Sequence, residues 1–107
     1  MSDEAPSSST GSGVPAGAIS KELLIVNKRG LHARASAKFV QAVERFNAQV
    51  WVTRGGETVG GTSIMGLMML AAGPGTTITV AAAGDDAEAA LAAITELVES
   101  KFNEEGT

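Results

Sequence analysis

His32 is the only histidine in the chain, and Arg34 stands two positions after it. Both lie in Gly30-Leu31-His32-Ala33-Arg34-Ala35-Ser36-Ala37-Lys38-Phe39-Val40, where a strand-like run gives way to a helical pattern. An imidazole is a nucleophile near neutral pH, and a guanidinium offers a planar donor array to anionic oxygens. From Ala33 onward, Ser36, Phe39, Val40, Val43 and Phe46 fall on one helical face, which places His32 at or next to the helix N-cap. First-turn amides have no intrahelical partner, and they carry the positive end of the helix dipole. Such a place takes an anion, most often phosphate. These groups together point to a histidine that carries phosphate. A capping histidine without chemistry fits the same pattern, so geometry alone leaves both readings open.

Other chemistries fare worse. With one histidine and no cysteine, the chain has no zinc ligand set, and no metal is expected. It has no nucleophile elbow for a Ser-His-Asp triad and no Walker loop to bind ATP. The formal net charge of -4 argues against general nucleic-acid binding. Yet no acidic residue occurs from Leu23 to Val43, and that window holds Lys28, Arg29, Arg34 and Lys38. This local basic patch suits phosphate or an acidic partner surface, and equally an ordinary solvated face. No apolar run approaches the length of a membrane span, and Asp3 and Glu4 stand where a signal peptide would be basic. The expectation is a soluble cytoplasmic domain with no membrane partner.

The elements that must position His32 follow from patterning. Residues 1–18 are rich in Ser, Gly, Ala and Pro and read as a disordered tail, leaving 19–107 as the folded domain. A short aliphatic strand spans 21–26, and the helix after His32 runs over 33–46, with Asn47 as its stop. Residues 48–54 alternate with Val50 and Val52 on one face and Trp51 on the other. Gly55-Gly56 turns the chain into a weaker strand at 57–61. Ser63 reads as the N-cap of a short helix over 64–70, stopped by Gly73-Pro74-Gly75. That helix is apolar nearly all round, so part of it should remain as an exposed patch suited to a partner. A strand at 76–83 points Ile78, Val80 and Ala82 inward. A final helix follows, capped by Asp85 or Asp86, with Asp85 and Glu88 at capping-box spacing. Its stripe is Ala87, Ala90, Leu91, Ile94, Leu97 and Val98, and residues 103–107 should fray. The order β-α-β-β-α-β-α predicts an α+β fold, a four-stranded antiparallel sheet covered by three helices on one face.

Two segments carry a resemblance. Gly30-Leu31-His32-Ala33-Arg34 and Thr62-Ser63-Ile64-Met65-Gly66-Leu67-Met68 resemble the two signatures of HPr, the histidine-containing phosphocarrier of the bacterial phosphoenolpyruvate-dependent phosphotransferase system. The likeness extends over roughly residues 20–102. It implies an open-faced β-sandwich, and a carrier forming a phosphohistidine intermediate rather than a stand-alone enzyme. On that resemblance, His32 accepts a phosphoryl group on Nδ1 from phospho-enzyme I and passes it to an EIIA-type protein. Arg34 then pairs with the phosphoryl oxygens, aided by the backbone amides of Ala33 and Arg34. Ser63 matches the serine that a dedicated kinase, opposed by a phosphatase, modifies in some bacteria. Ile64, Met65 and Met68 match apolar partner-docking positions. No cofactor is implied, and a monomer is expected.

One position departs from the family. Ala35 stands where proline usually follows the arginine. Proline suits a first helical turn because its missing N–H has no partner there, so Ala35 restores a donor at that point. The Ala-Ser-Ala run resembles the nitrogen-related NPr branch. A rival reading is a regulatory binding module whose Met-rich helix docks on targets, with phosphorylation as the gate. Ser63 also keeps two readings, a simple cap or a switch.

Overall fold

A computed structural model of the chain describes residues 14–104. The expectations for residues 1–13 and 105–107 lie outside the described residues. Four strands, β1 (Ile19–Leu24), β2 (Gln49–Arg54), β3 (Glu57–Gly60) and β4 (Thr77–Ala83), alternate with α1 (Ala33–Glu44), α2 (Ile64–Met69) and α3 (Ala87–Glu99). A 3-10 turn (Lys101–Asn103) follows α3.

The sheet is antiparallel throughout, in the order β1-β4-β2-β3. β1 pairs with β4 from Ile19 opposite Ala82 to Leu24 opposite Thr77. β2 pairs with β4 from Gln49 opposite Ala83, and with β3 from Trp51 opposite Gly60 to Arg54 opposite Glu57. Period-2 alternation sends Leu23, Val50, Val52, Ile78, Val80 and Ala82 to one face, where they are buried with Phe39, Leu67, Ile94 and Val98. The opposite face carries half-buried Trp51, and Thr53 Oγ1 lies 2.7 Å from Thr58 Oγ1 there. The fold is the α+β open-faced sandwich that the residue pattern and the resemblance predict.

Boundaries differ in instructive places. β1 starts two residues before the predicted 21 and ends at Leu24. Ile25 still donates to Thr76 O (2.8 Å) and accepts from Gly75 N (2.8 Å), a turn closure beyond the ladder. α1 stops at Glu44, closed by short-range bonds from Arg45 N to Ala42 O and from Phe46 N to Val43 O. Asn47 is therefore not a left-handed stop. Its backbone N–H donates to Asp86 Oδ2 (2.7 Å) and its Nδ2 to Asp85 Oδ2 (3.3 Å). The capping box at Asp85 and Glu88 fails for the same reason: Asp86 is the N-cap, its side chain makes no cap bond, and both carboxylates serve Asn47.

The C-terminus departs most. Asn103 and Glu104 do not fray. Lys101, Phe102 and Asn103 adopt φ of 62°, 55° and 57°, a left-handed turn built without glycine. Such residues disfavour that region, and something else must hold them there. Phe102 is fully buried in the core, and Lys38 Nζ from α1 donates to its carbonyl at 2.6 Å. Phe102→Ala should destabilise the chain by about 3–5 kcal/mol in urea unfolding. A frayed residue would change it by no more than about 0.5 kcal/mol.

Candidate functional site

His32 sits where the sequence predicts, as the N-cap of α1, with extended backbone (φ -73°, ψ -179°). Its carbonyl accepts the first helical bond, from Ser36 N at 2.8 Å. Its side chain makes no cap bond, so the ring does not consume the first-turn amides, those of Ala33 and Arg34 included. Gly30 makes this entry possible. It has φ +66°, and a Cβ there would stand 2.3 Å from Ala72 O. The close approach lets Leu31 N donate to Ala72 O at 2.9 Å, which fastens the start of α1 beside the chain that leaves α2.

Arg34 is exposed, and among the described residues no carboxylate forms an ion pair with it. Ala35 is buried, which explains why a small apolar residue serves at this turn. Lys28 and Arg29 are exposed, whereas Lys38 is half-buried and committed to Phe102 O. Of the basic window, Lys28, Arg29 and Arg34 remain exposed.

The ring itself is less open than the sequence implies. The His32 side chain is 15% exposed, because its Nε2 hydrogen-bonds Glu104 Oε2. Sequence reasoning assigns Glu104 to a frayed end, and the left-handed turn brings it back over the site. Asn27 reads in the sequence only as a loop residue. It is fully buried, and its Nδ2 donates to Gly30 O (2.8 Å) and to Glu104 Oε2 (2.9 Å). Both partners are acceptors, so the orientation of the amide is fixed. Its Oδ1 is buried without a partner among the described residues. The result is a chain of contacts, Gly30 to Asn27 to Glu104 to His32, that occupies Nε2. Among the described residues Nδ1 makes no hydrogen bond.

α2 bears out the capping assignment. Ser63 Oγ accepts from Gly66 N at 3.0 Å, and Ser63 is exposed. Only Leu67 of the helix is buried. Ile64 and Met68 are exposed, and Met65 and Met69 lie open at 69% and 71%. Met69 is a member of the patch that the signature does not single out. Arg54 Nη1 donates to Leu70 O at 3.1 Å and satisfies a carbonyl at the helix end. The structure brings α1 and α2 into contact, and with them the histidine loop and the methionine helix.

Comparison with known proteins points one way. The family model "PTS HPr component phosphorylation site" matches residues 19–100. A phosphocarrier protein HPr from Neisseria meningitidis serogroup A is 48% identical over 86 residues, covering 80% of this chain and 97% of its own. A phosphocarrier protein NPr from Shewanella violacea is 42% identical over 86 residues, covering 80% and 94%. A crystal structure of HPr from Thermoanaerobacter tengcongensis superposes with a TM-score of 0.78 at 44% identity, covering 81% and 98%.

The Glu104 contacts carry a pH signature. Burial pushes its carboxyl up, but the hydrogen bonds from His32 and Asn27, with the charges of His32 and Arg29, outweigh burial and hold it below the usual glutamate value. A carboxyl lowered by folding stabilises the fold above its unfolded value, and that contribution is lost as pH falls through the lowered one. The difference in urea stability between the wild type and Glu104→Gln should be full at about pH 6 and should vanish on acidification below the carboxyl range.

Proposed function

Because the chain belongs to the HPr family of phosphocarrier proteins, we propose that His32 accepts a phosphoryl group on Nδ1 from phospho-enzyme I and hands it to an EIIA-type protein. The observation that supports this most directly is the ring at the start of α1, with Nδ1 uncommitted and first-turn amides beside it. Phosphoryl transfer depends on positioning and charge neutralisation more than on covalent assistance. The exposed guanidinium of Arg34 and the amides of Ala33 and Arg34 supply both to the three equatorial oxygens. The reaction calls for no cofactor. A cytoplasmic location, a monomeric state and the 19–107 domain boundary accompany this role, and the relatives leave open sugar uptake against nitrogen-related regulation.

Partners would dock on the apolar face of α2, through Ile64, Met65 and Met68. Thioether side chains adapt to differing surfaces, which suits a carrier that must meet both a donor and an acceptor. Exposed Lys28, Arg29 and Arg34 would draw acidic partners to the histidine. Ser63 sits at the N-terminus of the docking helix, reachable by a kinase. A phosphate there is favoured by the helix dipole, so the fold tolerates it while the new charge opposes an acidic partner.

Two measurements test this reading. His32→Ala should abolish acid-labile phosphate incorporation from phosphoenolpyruvate and enzyme I; persistent labelling would refute the site. Ser63→Asp should weaken enzyme I binding about tenfold, the scale of one lost charge contact, while the melting temperature stays nearly constant. Unaltered affinity would count against the switch.

A further inference from the structure

We propose that the outer edge of β1 is a strand-addition site: an extended segment of a partner protein, basic at its two ends and apolar between, pairs with β1 and lies in the groove between that strand and α3. The inference stands apart from the carrier reading, because the groove uses neither the histidine loop nor the methionine helix.

β1 stands at one end of the sheet order, so one side of it faces no described strand. Ile25, one step past the ladder, donates to Thr76 O at 2.8 Å. Antiparallel alternation then turns the backbone groups of Leu23, Lys21 and Ile19 toward β4, and those of Leu24, Glu22 and Ser20 outward. Ser20, Glu22 and Leu24 are all exposed. A row of open N–H and C=O groups is a template for a further strand.

Beside that edge lies an open groove of about 670 Å³ between β1 and α3. Its floor is apolar, made by Ile19 from the strand and by Leu91, Ala92 and Thr95 from one face of the helix. Thr95 Oγ1 donates to Leu91 O at 2.8 Å, so its hydroxyl is satisfied within the helix and asks nothing of an occupant. Exposed Glu88, Glu96 and Glu99 form the rim, with Lys21 as the one cation among the lining residues. Among the described residues these carboxylates form no ion pair.

The charges select the occupant. Residues 1–13 carry Asp3 and Glu4 and no Lys or Arg, so the chain's own leading segment is repelled by the rim. A second copy paired edge to edge would bring the same carboxylates to one seam. A basic segment gains what both of these lose. Its length follows from α3, where Glu88 and Glu99 stand about 16 Å apart along the axis at about 1.5 Å per residue. Five residues of strand at about 3.3 Å each cover that span. Side chains alternate between faces, so the first, third and fifth face the groove. Basic groups at the first and fifth positions meet Glu88 and Glu99, and an apolar third residue covers the floor.

The test titrates the blocked peptide Arg-Thr-Val-Thr-Arg into the full 15N-labelled chain. Amide signals of Ser20, Glu22, Leu24, Leu91, Ala92 and Thr95 should move, while those of Ala33, Arg34 and Met65 stay. With nine-tenths of the chain bound, hydrogen exchange at Ser20, Glu22 and Leu24 should slow about tenfold, because only the free fraction exchanges. The double variant Glu88→Lys/Glu99→Lys should weaken binding about tenfold or more, as should Ala92→Arg, which fills the groove from an exposed position. The rest of the spectrum reports that each variant is folded. Equal binding of Glu-Thr-Val-Thr-Glu overturns the charge argument and the proposal with it. Shifts without slowed exchange at the β1 amides mean ionic attraction alone and overturn strand addition. Shifts of the β1 amides with protein concentration alone make a second copy the occupant, and no shift at millimolar peptide leaves the groove without one; either result overturns the proposal.

Discussion

The chemistry of this molecule hangs on one close approach of two backbone segments. Leu31 N donates to Ala72 O, and the contact leaves no room for a side chain at Gly30. From that contact the rest follows. The chain turns sharply enough that His32 caps α1 with an extended backbone, and the amides of the first turn are left for a ligand. The segment that accepts the bond follows directly on α2, so the methionine-bearing helix is tied to the histidine loop. A carrier of the kind proposed needs its histidine and its exposed methionine helix held side by side. Here a single hydrogen bond at a glycine joins the two.

What the sequence discloses and what it withholds divide by range. His32 at the start of a helix, Ser63 as a cap and the exposed methionines are all local inferences. They rest on periodicity and on the side chain three or four positions away, and the structure carries each of them. The failures involve distant partners. Asp85 and Glu88 have the spacing of a capping box, yet Asn47 takes the carboxylates at Asp85 and Asp86. The N-cap is Asp86 rather than Asp85, and the Asn47 side-chain amide donates to Asp85 while its backbone N–H donates to Asp86, so spacing alone cannot reveal the arrangement. Asn27 reads as an ordinary loop residue, and only burial shows it as an anchor. Lys101, Phe102 and Asn103 have no glycine to announce a left-handed turn, so nothing in their types separates a clasp from a frayed end.

Charge teaches a related lesson. The acid-free window from Leu23 to Val43 is real in the sequence, but folding places one carboxylate in it and withdraws one ammonium. Glu104 enters against the ring while Lys38 turns to Phe102 O. The cations left outward, Lys28, Arg29 and Arg34, are those that a dianion or an acidic surface can meet. Counting charges along the chain finds the patch, and only the fold shows which members remain available.

The clasp at the chain's far end also gives the site a birth order. His32 and Glu104 are separated by 72 positions. At ribosomal speeds of about 5–20 residues per second, roughly 4–14 s pass between adding the one and adding the other. During that interval the residues of α1 and the His32 ring are present without the carboxylate that meets Nε2 in the folded chain. The surroundings of His32 are thus completed late, by a residue far from the motif around the histidine.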